Sequence, residues 1–101
     1  MAIKPPLPVL KKHPGDILDW TFIWNDRLKT GTPDADTIAS VTGWVVEAGT
    51  VTVPSNSNTL VTTTAFIAGG ADGETAEIEC TIVTVAGRTW VAEVSVEVNE
   101  N

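Results

Sequence analysis

The sequence predicts an all-β domain, an immunoglobulin-like antiparallel β-sandwich carrying an extended N-terminal arm. Three observations predict it. In the last third, Ile78, Cys80 and Ile82 alternate with Glu77, Glu79 and Thr81, and Trp90, Ala92, Val94, Val96 and Val98 alternate with Val91, Glu93, Ser95 and Glu97. That period of two marks half-buried strands, and the Ala86-Gly87 turn between the runs makes them a hairpin. Upstream, short runs rich in Val, Ile, Thr and Trp are separated by Gly, Pro, Asn and Asp, giving six or seven strands and no helical period. Four of the six prolines fall in the first fourteen residues. They set residues 1–14 apart as an arm and leave 15–101 as the sandwich. A small barrel is the alternative closure of the same strands.

The elements follow in order. In the arm, Pro5, Pro6 and Pro8 fix φ and favour an extended polyproline path. Ile3, Leu7, Val9 and Leu10 give it an apolar character, which suits a segment lying on a surface of its own or of another subunit. Pro14-Gly15-Asp16 turns the chain. Leu18, Trp20, Phe22 and Trp24 then share one strand face, with Asp19 and Thr21 on the other. Asn25 to Asp36 reads as a polar loop. Thr37 to Val46 is a strand with Gly43 at a bulge. Thr50 to Val53 is a short strand stopped by Pro54, and Ser55 to Asn58 a polar loop. Leu60 to Ala68, with Thr62, Thr63 and Thr64 in succession, suits an edge strand with a wet face. Gly69 to Gly73 is the strongest turn signal before the terminal hairpin.

Composition narrows the function. A chain of 101 residues is one domain with room for one core. Cys80 is the single cysteine, so no internal disulfide forms, and its place on the inward strand face makes it a small buried hydrophobe. No run is long and apolar enough to span a membrane. The first residues lack the apolar run of a signal peptide, which predicts synthesis and folding in a cytoplasm. A net charge of -7 opposes non-specific binding to nucleic acid. The charge is divided: residues 1–13 carry Lys4, Lys11 and Lys12 and no acid, while the rest carries thirteen acids against Arg27, Lys29 and Arg88. The arm is either a solvated terminus or a basic segment that docks on the acidic face of a neighbour.

Catalytic and metal-binding patterns are missing from the sequence. His13 is the single histidine and lies in the arm. Asp34 and Asp36 have the spacing of a calcium ligand pair, but the loop lacks the remaining oxygen ligands of such a site and reads as a solvated turn. Gly69 to Gly73 lacks the Lys-Ser/Thr of a phosphate loop and precedes a strand. Glu77 and Glu79 share a solvated face, where nothing drives their pKa values apart. The expectation is a protein that is not an enzyme and takes no cofactor or metal.

His13 to Phe22, then Trp24-Asn25-Asp26-Arg27-Leu28, then Asp36-Thr37-Ile38-Ala39-Ser40-Val41, resemble the small fiber–tail adaptor proteins of tailed bacteriophages. The likeness continues more weakly through Gly69-Gly70 to Ala86-Gly87-Arg88-Thr89 and so covers nearly the whole chain. The chain departs from the pattern at Ile23, where an acid is usual, and by a longer loop from Leu28 to Asp36. The resemblance implies a structural virion protein of the tail or neck. It implies several copies around a symmetry axis, contacting fiber, tail-tube or portal-adaptor proteins. Three interface candidates follow: the arm (Ile3, Lys4, Leu7, Val9, Leu10, Lys11, Lys12), the long loop (Arg27, Leu28, Asp34, Asp36) and the glycine tip (Gly70, Asp72). A carbohydrate- or cell-surface-binding module is the competing reading; it requires two or more of Trp20, Trp24, Trp44 and Trp90 exposed as a platform. A capsid decoration or head-fiber protein shares the fold and differs in location.

Overall fold

The computed structural model describes residues 8–100. Its elements are β1 (Val9–Lys12), β2 (Leu18–Ile23), α1 (Asn25–Leu28), β3 (Ile38–Ala48), β4 (Val51–Asn58), β5 (Thr62–Gly69), β6 (Thr75–Thr84) and β7 (Thr89–Val98). They form two sheets, one ordered β1-β7-β6-β3 and the other β2-β5-β4. All pairings are antiparallel except β1 with β7, which is parallel.

The hairpin organises the molecule as its alternation predicts. Ala76, Ile78, Cys80, Ile82 and Thr84 of β6 are buried, as are Val94, Val96 and Val98 of β7. The other sheet supplies Phe22, Val51, Ala65 and Ile67 to the same core. An aromatic cluster fills the middle: Phe22 stacks on Trp44 at 5.6 Å, with Trp20 edge-on to it and Trp24 tilted, both at 6.0 Å. Each such ring buries on the order of 200 Å², so this cluster is a large share of the hydrophobic driving force. Gly43 sits at a register break of β3, as its place within a strand predicts.

Five expectations are corrected. The polar loop from Asn25 opens with a helical turn, α1, which points Trp24 and Leu28 inward; Leu28 N–H bonds to the Trp24 carbonyl and Leu28 is fully buried. A single turn has no apolar period to read. Pro54 does not stop β4, which runs on to Asn58. The strand is at a sheet edge, and Pro54 falls at the register break between Thr52 and Ser55, where the missing N–H costs no ladder bond. The presumed loop Ser55 to Asn58 therefore pairs with Phe66 to Thr63. β5 is the central strand of its sheet and not an edge. Thr63 is tolerated inside because its hydroxyl accepts from Trp24 Nε1 at 3.0 Å and from the Cys80 thiol at 3.5 Å. Finally, the arm is not wholly separate from the sandwich: proline-free Val9 to Lys12 add a parallel strand to β7.

Candidate interaction surfaces

Lys12 shows how firmly the second half of the arm is built in. It is 4% exposed. Its ammonium donates to the Gly69 carbonyl at 2.6 Å and the His13 carbonyl at 2.8 Å, tying β1 in one sheet to the end of β5 in the other. His13 and Asp16 close the adjoining turn: His13 N–H donates to the Asp16 carboxylate, and Gly15 N–H to His13 Nδ1. Lys12 and Leu10, which is half-buried, belong to the fold, while Val9 and Lys11 remain exposed. Ile3, Lys4 and Leu7 lie outside the described residues.

The long loop and the glycine tip occupy opposite ends of the sandwich. β5 runs between them, from Thr62 beside Ile23 to Gly69. At the tip, Gly70 adopts φ +97°, and a side-chain carbon there would meet Val98 at 2.9 Å and Val51 at 3.0 Å. Gly70 is thus a packing position pressed on the core. Asp72 is exposed and accepts from the Glu100 N–H. Nearby, Glu74 accepts from the Thr50 N–H and hydroxyl, which together hold its carboxyl below the usual range against desolvation, with Lys12 adding a smaller pull.

The other end holds a second surface. A cleft of about 270 Å³ is lined by α1, the loop after it and the β6–β7 turn. Asp36 organises it from within. Its carboxylate takes hydrogen bonds from the backbone of Thr37 and Ala86 and pairs with Arg88 at 3.1 Å. The Thr84 hydroxyl first, then these partners, keep its pKa low despite burial. Asp36 and Leu28 hold the loop to the hairpin. Arg27, Lys29 and Asp34 are exposed. Arg27 lies over the rings of Trp24 at 5.1 Å and Trp90 at 5.7 Å and donates to the Val91 carbonyl at 2.7 Å, covering part of the β7 edge that β1 leaves open. All three cations of the acidic body, Arg27, Lys29 and Arg88, therefore line one cleft. The sequence offers no signal for this grouping, because Arg88 and Trp90 join the loop across more than fifty residues.

The chemistry available is that of recognition. Among the described residues no three His, Cys, Asp or Glu groups stand together as a metal site. Burial raises the pKa of the Cys80 thiol, against a weaker opposing hydrogen bond to Thr63, so its nucleophilic form is disfavoured. The platform required for sugar stacking is not built. Trp24 is buried at 2% exposure, Trp20 and Trp44 pack with Phe22, and Trp90 lies beneath Arg27. No described helix is long and apolar enough to cross a membrane.

Comparison with known proteins adds one match. A family model described as "Podophage GP4 fiber-tail adaptor protein gp77" matches residues 12–97, from the last residue of β1 to the penultimate residue of β7. No curated protein matches the chain.

Proposed function

The chain belongs to the podophage GP4 fiber-tail adaptor family, and we propose from that premise that it acts as a non-catalytic bridging module of the virion tail. It is a structural adaptor, with fiber and tail proteins as the partner class that the family implies. We read its topology as immunoglobulin-like: β2-β5-β4 and β7-β6-β3 follow the order of the B-E-D and G-F-C strands, with the first strand moved across to the second sheet. Several copies sit around the tail axis and also touch one another. In such an array each weak contact is repeated at high effective concentration. The protein is made in the host cytoplasm and reaches its place by assembly. The two ends of the sandwich serve as contact regions, the charged cleft at one and the Asp72 tip at the other. Ile3, Lys4 and Leu7 supply a further contact to a neighbour.

The observation that carries this reading is the extent of the match, which takes in nearly all of the sandwich and therefore makes the folded unit itself the adaptor. The test is genetic. Particles assembled without this chain are expected to package DNA yet lack tail fibers, and adding the purified protein with fibers restores attachment. Particles that keep their fibers in its absence contradict the proposal.

A further inference from the structure

The two sheets expose four edges among the described residues, and three of them carry devices that discourage pairing. β1 is four residues long, follows Pro8 and exposes Lys11. β3 breaks register with β6 three times. β4 contains Pro54 and a register break. β2 has no proline and no register break, and its one exposed charge is Asp19. Its six residues, Leu-Asp-Trp-Thr-Phe-Ile, pair with β5 in unbroken register from Leu18 opposite Ile67 to Ile23 opposite Thr62. Its outer edge is unpaired among the described residues. Ile17 just before it and Ile23 at its end are exposed, at 64% and 69%. A regular strand with one free edge is a template for another strand.

We propose that β2 pairs with β2 of a second copy, antiparallel about a two-fold axis through Thr21, joining two three-stranded sheets into one of six. The sequence selects this occupant over an arm. In antiparallel pairing, opposed residues point to the same face, so a register centred on Thr21 keeps the indole of Trp20 and the ring of the partner's Phe22 on the core side. Asp19 then faces the partner's Ile23, and Thr21 faces the partner's Thr21. No like charges meet. A register centred on Asp19 would set two carboxylates face to face. The arm is the poorer donor, because Pro5, Pro6 and Pro8 remove the N–H groups a ladder needs. This pairing rests on the proposed contact between copies; being isologous it joins them two by two, so the unit repeated around the tail axis is a pair.

Cysteine crosslinking in the full chain reads the register directly. Directly opposed strand residues lie within disulfide reach, whereas residues displaced along the strand do not. With oxidised glutathione, Thr21→Cys is expected to form a covalent dimer by itself. Asp19→Cys and Ile23→Cys are each expected to stay uncrosslinked alone and to crosslink when mixed in equal amounts. Wild type, whose Cys80 is buried, gives none. In sedimentation, Thr21→Lys sets two ammonium groups face to face and is expected to be monomeric, while Ile23→Lys, facing the partner's Asp19, keeps the dimer. Circular dichroism checks that each variant is folded. A Thr21→Cys chain that crosslinks no faster than wild type, or an Asp19→Cys chain that crosslinks with itself, overturns the proposal. Either result leaves the fiber-attachment test of the adaptor reading untouched.

Discussion

Lys12→Met removes the ammonium that joins the two sheets while keeping most of the aliphatic stem. In the native protein that ammonium donates to the carbonyls of Gly69 and His13 at 2.6 and 2.8 Å. Hydrogen bonds to a charged group contribute about 1.5–3 kcal/mol, and the two carbonyls left behind near the surface recover part of their loss from water. A cost of about 2 kcal/mol is therefore expected. For a domain of this size each kcal/mol lowers Tm by roughly 4–8 °C, so the variant should melt about 8–16 °C below wild type. Differential scanning calorimetry measures this, with Lys11→Met as the control. Lys11 is the exposed neighbour on the same strand, and surface changes of that kind stay within about 0.5 kcal/mol. Equal melting of the two variants would refute the claim that the second half of the arm is part of the sandwich.

Two further outcomes follow from hydrogen-bonded polar groups. Thr63→Val preserves volume but strips Trp24 Nε1 of its acceptor, and should cost about 1–3 kcal/mol in urea unfolding; adding Trp24→Phe should recover part of that cost, and simple additivity of the two changes would contradict the bond. Asp36 and Glu74 have folded pKa values below their ordinary 3.8 and 4.5. The native state therefore binds fewer protons than the unfolded one in this range, so their stabilisation is present above those ordinary values and is lost as pH falls through the lowered ones. Tm should drop on acidification below about pH 4.5, and Asp36→Asn should flatten that drop; an unchanged acid limb in this variant contradicts the assignment.

Much of the fold was legible because strand periodicity is a local signal. The hairpin, the Trp20–Trp24 face, the buried Cys80 and the Gly43 bulge all follow from neighbours in sequence. The errors arose where tertiary context decides. Pro54 is harmless only because β4 is an edge with a break at that point, and a run of threonines reads as an edge until Trp24 and Cys80 are seen to satisfy Thr63. Leu28 and Gly70, expected at an interface, are held by packing, which a polar or glycine-rich stretch does not reveal. Asp36 reads in sequence as part of a solvated turn, yet it is buried, because its partners Arg88, Ala86 and Thr84 come from far along the chain. The charged cleft is a product of that long-range closure.

A density map of the intact particle's tail tests the adaptor role most directly. The account predicts repeated copies of this sandwich seated between the tail and the bases of its fibers, with each copy touching both. Finding the chain instead on the capsid surface, or finding fibers joined to the tail with this chain nowhere between them, would contradict it.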